Sequence, residues 1–115
     1  MNALAGNVTI SPPTVTPRDA RGLMDGATAI VHGALAAGCD FFAGYPITPA
    51  TPILLQMMRE LPKLSRVDGG HGVAVQGEDE IASIGMCLGA AATGRRAMTA
   101  TSGPGISLYL SLIHI

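Results

Sequence analysis

The stretch FFAGYPITPATPILLQMMRELP, residues 41–62, holds a strand, a loop and a helix in one run. Phe41-Phe42-Ala43 is short and apolar and reads as a buried strand. Gly44 to Pro46 breaks it. Thr51-Pro52 marks a helix start, because proline at the first helical position gives up no needed N–H. Ile53, Leu54, Met57, Met58 and Leu61 then recur at helical spacing until Pro62 stops the helix. The Met57-Met58 pair could serve an adaptable binding surface, but its spacing favours core packing.

The same order repeats outward from this unit. Val73 to Gln76 is a second strand, and Gly77-Glu78-Asp79-Glu80 leads into a helix that runs to about Thr93 and ends at Gly94. Ala97 to Thr101 reads as a third strand, stopped by Ser102-Gly103-Pro104-Gly105, with a last helix beginning near Ile106. On the other side, Asp25 to Gly38 is helical, with Asp25 as N-cap, Gly38 as stop, and Ile30, Val31, Ala34 and Leu35 as an apolar stripe. Strands alternate with helical crossovers long enough for parallel pairing. This predicts an α/β fold built on a parallel, doubly wound sheet. The third helix carries Ile81, Ile84, Met86, Leu88 and small residues on nearly every face, which predicts burial all round, within a domain or against another subunit.

Composition narrows the function classes. Of 115 residues, 48% are hydrophobic and 13% charged, too apolar for a disordered tail and too poor in charge for a coiled coil. Seven Lys+Arg against eight Asp+Glu leave a net charge of -1, and Trp is absent, so neither a basic patch nor a stacking platform points to nucleic acid. Two charge-free runs, 41–58 and 97–115, contain Pro46, Pro49 and Pro52 or the Gly103-Pro104-Gly105 break, and are not membrane spans. Residues 1–24 lack a continuous apolar core for a secretory signal and read as a flexible leader. Cys39 and Cys87 sit in apolar stretches and read as buried thiols of a reduced, cytoplasmic protein.

Three segments interrupt local regularity: residues 44–49, 77–80 and 101–105. Each follows a strand and precedes a helix, so all three belong at the carboxyl edge of a parallel sheet, where ligands bind. Glu78 and Asp79 suit a helix N-terminus through the macrodipole. Glu80 enters an otherwise apolar helix. A carboxyl on its buried side has its charged form disfavoured by desolvation, and can share a proton with a ligand nitrogen. Thr48, between two prolines, either caps a turn or offers a hydroxyl to a ligand oxygen. The Ser102 to Gly105 loop is either an anion nest or a tight turn; it lacks the lysine of a P-loop, and no GxGxxG fingerprint is present. Arg95-Arg96 read as cations at a helix C-terminus, and His32 and His71 as structural or solvated.

Residues 33–38 and 42–49, GALAAG and FAGYPITP, together with QGEDEIA at 76–82 and MTATSGPG at 98–105, resemble the alpha subunit of 2-oxoacid:ferredoxin oxidoreductases, most closely the 2-oxoglutarate type. The likeness covers about Met24 to Leu108, and the combined motifs are highly specific. It implies a thiamine-diphosphate pyrimidine-binding domain over residues 25–110. By the same resemblance, Glu80 contacts N1′ of the aminopyrimidine as the catalytic and cofactor-binding carboxyl, with Glu78 as fallback. Pro46 and Thr48 bind substrate, Thr48 through the oxoacid carboxylate, and Thr101, Ser102 and Gly103 line the cofactor pocket. It further implies a beta subunit that supplies the diphosphate site, Mg²⁺ and iron–sulfur clusters, with ferredoxin as electron acceptor and coenzyme A taking the acyl group. The family often has Asn where Ala27 stands and a bulky residue where Gly77 stands. Residues 111–115 do not read like the expected helix. They resemble a translated sequencing adapter and are expected to be non-native. The alternatives are a pyruvate or branched-chain 2-oxoacid oxidoreductase subunit, a non-catalytic nucleotide-binding domain with residues 102–105 as phosphate cradle, and a structural subunit that uses the small-residue helix as an interface.

Overall fold

The computed structural model describes residues 22–113. The leader expected over residues 1–24 lies outside the described residues except for Gly22 to Met24, as do His114 and Ile115 of the expected tail. Helix α1 (Gly26–Ala36) starts where Asp25 accepts a bond from the Thr28 amide, and the chain turns at Gly38 with φ 89°. Strand β1 (Phe41–Gly44) and helix α2 (Thr51–Glu60) follow, and Pro62 converts the end of α2 into a 3₁₀ turn, Leu61–Lys63. Strand β2 (Val73–Gln76), helix α3 (Glu80–Ala92), strand β3 (Ala97–Met98) and helix α4 (Pro104–Ile113) complete the order.

The three strands form one parallel sheet in the order β2-β1-β3. Phe41 is opposite Val73 on one side and Ala97 on the other. The period of two in a strand sorts the side chains onto two faces. Phe42 joins Val31, Leu35, Ile53, Leu54, Met57 and Leu61 in a core beneath α1 and α2. Phe41, Val73 and Val75 face Met86 and Ala90 of α3 on the other side. With helices on both faces, the predicted α/β, parallel and doubly wound architecture is what the described residues form.

Four expectations need correction. Strand β3 ends at Met98, not Thr101, because Thr99 leaves the ladder and its hydroxyl pairs with the Tyr109 hydroxyl on α4 at 2.7 Å. Helix α3 is not buried all round within this domain: Glu80, Ser83 and Cys87 form its buried face, while Ile81 and Leu88 are 40% and 49% exposed, which leaves the alternative of burial against another subunit as it stood. Helix α4 starts at Pro104, before Ile106, and runs on to Ile113, so residues 111–113 continue it. Of the methionine pair, only Met57 is core; Met58 lies on the exposed side of α2.

The amino edge of the sheet is held by charge. Asp40 is buried and accepts a bond from the Arg66 guanidinium and another from the Arg96 amide at 2.8 Å. Arg66 also grips Asp68, whose carboxyl is held down at about 2 by that bond. The Arg96 guanidinium reaches the Ala37 carbonyl beside the end of α1, so it serves that helix rather than the preceding α3.

Candidate functional site

The carboxyl edge gathers the three irregular segments. Ser102 donates its hydroxyl to the Thr48 carbonyl at 2.8 Å, tying the loop after β1 to the loop after β3. The Gly77 amide bonds the Gly44 carbonyl at 2.8 Å, which brings in the loop after β2. Asp79 caps α3 through the Ala82 amide at 2.7 Å, so its acidity has the local role read from the sequence.

The acidic run divides by burial. Glu78 and Asp79 are exposed, whereas Glu80, the first residue of α3, is 8% exposed. None of the ion pairs among the described residues involves Glu80. Beside it lies Thr101, whose Oγ1 is fully buried and has no hydrogen-bond partner. Buried hydroxyls without partners are rare in folded proteins. An acid and an orphaned hydroxyl side by side can serve a polar heterocycle, the acid sharing a proton and the hydroxyl donating or accepting.

The other sequence-singled residues are near but differently disposed. The Thr48 side chain is exposed, and its loop is fixed by the bond to its carbonyl rather than through its hydroxyl. Pro46 is half-buried at the start of the same loop. Gly103 is exposed with φ 56°, the left-handed turn that delivers the chain into α4. The Gly105 amide bonds the Ser102 carbonyl at 3.2 Å and the Ile106 amide bonds the Gly103 carbonyl at 3.3 Å. Two amides that an anion nest would need are thus spent on the turn. A shallow cavity of about 310 Å³ reaches Thr101 from the α1 side, lined by Ala27, Ile30, Pro49, Ala50 and Ala100 among others. Ala27 therefore borders the site. Gly77 has no room for a side chain: a Cβ there would overlap the Ser83 hydroxyl, which bonds the Asp79 carbonyl.

One residue of this site, Gly105, was read only as part of the Ser102 to Gly105 nest or turn, not as a neighbour of Thr101 and Glu80. A Cβ on it would overlap Thr101 Oγ1 and lie 3.0 Å from Glu80 Cγ. The available hint was a glycine one residue into a helix, where nothing local requires it. His32, on α1, lines the groove between α1 and α2, and His71 pairs with Ser65 at the amino side, so neither enters the site. Both cysteines are buried free thiols, as read; burial pushes Cys39 up to about 11 and raises Cys87 as well. No helix among the described residues is long and apolar enough to cross a membrane.

Residues 32–115 match the family described as "Pyruvate flavodoxin/ferredoxin oxidoreductase, thiamine diP-bdg". The chain is 55% identical over 85 residues to the 2-oxoglutarate synthase subunit KorA of Methanocaldococcus jannaschii, covering 74% of this chain and 22% of that protein. It is 51% identical over 86 residues to the ketoisovalerate oxidoreductase subunit VorB of Methanothermobacter thermautotrophicus, covering 75% and 23%. Among solved structures it is similar to a 2-oxoglutarate:ferredoxin oxidoreductase from Magnetococcus marinus with 2-oxoglutarate, coenzyme A and succinyl-CoA bound. That match has a TM-score of 0.65 and 48% identity, over 74% of this chain and 14% of the other. The chain spans roughly a fifth of the length of the curated relatives it matches.

Proposed function

Because the chain belongs to the pyruvate flavodoxin/ferredoxin oxidoreductase thiamine-binding family, we propose that it provides the aminopyrimidine site of a CoA-dependent 2-oxoacid:ferredoxin oxidoreductase. It does so as part of an alpha subunit. 2-Oxoglutarate is the leading substrate, supported by the names of its relatives; a branched-chain oxoacid is the second, supported by the ketoisovalerate relative. The observation that carries the reading is the pairing of buried Glu80 with the unpartnered Thr101 hydroxyl at the carboxyl edge.

These residues fit the group. Thiamine diphosphate supplies a nucleophilic carbon and an electron sink for decarboxylation when bound. Glu80 would hold N1′ of the aminopyrimidine, sharing a proton between its carboxyl oxygen and that nitrogen. Burial suits this, because a proton shared in a dry pocket is not released to water. Ser102 and Gly103 shape the loop beside it, and the Ser102–Thr48 bond sets the distance between cofactor loop and substrate loop. Thr48, exposed on its loop, would bind the oxoacid carboxylate, with Pro46 shaping the approach. The diphosphate site, Mg²⁺ and iron–sulfur clusters are assigned to a beta subunit and other partner segments, and electrons leave to ferredoxin in the cytoplasm.

The test is Glu80→Gln in the full-length subunit assembled with its partner. Oxoacid-dependent ferredoxin reduction should fall by at least about 100-fold, with deuterium exchange at C2 of bound thiamine diphosphate slowed in step. Near-normal exchange and turnover with the cofactor bound would overturn the reading.

A further inference from the structure

Gly105 is an unusual choice on local grounds. It stands in the first turn of α4, directly after Pro104, with no positive φ to require glycine. Alanine is the better helix former at such a place. What excludes a side chain is the neighbourhood, since an added Cβ would overlap Thr101 Oγ1, crowd Thr101 Cβ at 3.2 Å and reach Glu80 Cγ at 3.0 Å. One missing methyl group therefore lets the Thr101 hydroxyl and the Glu80 side chain flank the same spot. The hydroxyl is buried and unpartnered, so its bonding capacity is held in reserve.

We propose that Thr101 is a second hydrogen-bonding contact to the heterocycle held by Glu80, and that Gly105 is a positioning residue whose bare Cα makes room for that hydroxyl. The inference rests on the thiamine-site reading and sharpens it, giving Thr101 of the expected pocket lining a defined contact and Gly105 a role of its own. A hydroxyl donating to or accepting from a ring nitrogen or amino group, beside the acid, would fix the ring's rotation about the Glu80 bond. Gly105 acts only through Thr101 and Glu80.

The experiment uses the assembled full-length complex and reads thiamine diphosphate affinity, C2 deuterium exchange and thermal midpoint. Thr101→Val is close in shape and lacks the hydroxyl; it should weaken cofactor binding roughly 3- to 10-fold, the value of one neutral hydrogen bond. Thr101→Ser should restore most of that affinity. Gly105→Ala should weaken binding at least as much and lower the thermal midpoint. In a Thr101→Ala background the same Gly105→Ala change should cost clearly less in both affinity and midpoint, because the overlap with the hydroxyl is gone and only the closer approaches to Cβ of residue 101 and to Glu80 Cγ remain. Wild-type affinity in Thr101→Val, or a Gly105→Ala penalty unchanged by removing the hydroxyl, would overturn the inference. Glu80→Gln separates the two levels. If it is impaired while Thr101→Val is normal, only the second contact falls. If it is normal, the thiamine reading falls and takes the second contact with it.

Discussion

Replacing Asp40 by Asn tests the charge clasp at the amino edge of the sheet. Asp40 is 1% exposed, and the Arg66 side chain facing it is 10% exposed. The carboxylate accepts from the Arg66 guanidinium and the Arg96 amide, with Arg95 Nη1 at 3.7 Å. Removing one member of a buried pair costs about 3–5 kcal/mol, because the other charge stays buried. Two features reduce that here. Arg66 keeps its bonds to Asp68 at 2.8 and 3.0 Å, and an Asn oxygen can still accept from the Arg96 amide. The expected loss is therefore about 2–3 kcal/mol. Urea unfolding of the 115-residue chain, followed by circular dichroism, should show a midpoint lower by roughly 2 M at a slope of about 1–1.5 kcal/mol/M. Asp40→Ala, which also orphans the Arg96 amide, should lose a further ~1–3 kcal/mol. The paired change Asp40→Leu with Arg66→Met should recover much of the loss, since the two charges then leave the interior together. An Asp40→Asn midpoint within about 0.3 M of the parent would refute the reasoning.

Other contacts in the fold carry outcomes of their own. Gly77→Ala should destabilise by about 1–3 kcal/mol through overlap with the Ser83 hydroxyl, and adding Ser83→Ala should recover part of it; equal midpoints for the single and double variants would contradict this. Asp79→Ala should cost about 1 kcal/mol by uncapping α3, seen as faster amide exchange at Ala82. The Cys39 thiol, raised from 9.0 to about 11 by burial, contributes stability that is complete below about pH 9 and lost as pH rises toward 11, so the alkaline limb of a pH–stability profile should flatten in Cys39→Ala. At the acid end, Asp68 is lowered from 3.8 to about 2 by Arg66; its contribution is complete above about pH 4 and is lost as pH falls toward 2, a slope that Asp68→Asn should remove.

The element order was legible because local signals agreed with the packing. Asp25, Thr51-Pro52, Pro62, Gly38 and Gly94 each mark a boundary by backbone chemistry that needs no tertiary partner. The carboxyl-edge convergence followed from parallel topology alone. What escaped depended on distant partners. The early end of β3 turns on Thr99 meeting Tyr109 across a loop. The exposure of Ile81 and Leu88 turns on which side of α3 meets the sheet, and small residues on every face left that side undefined. Arg96 serves α1 because Ala37, 59 positions earlier, lies beside it in space. In the site, Glu80 stood out as an acid entering an apolar helix. Gly105 did not, since its role exists only where Thr101 and Glu80 come together.

The Asp40 clasp and the Glu80 edge lie at opposite poles of the same short strands. A four-residue β1 puts them only about 14 Å apart, yet one pole consumes its charges internally while the other keeps polar capacity unspent. A substitution at Asp40 or Arg66 is thus felt as lost stability rather than as a change in the polar groups at the far rim.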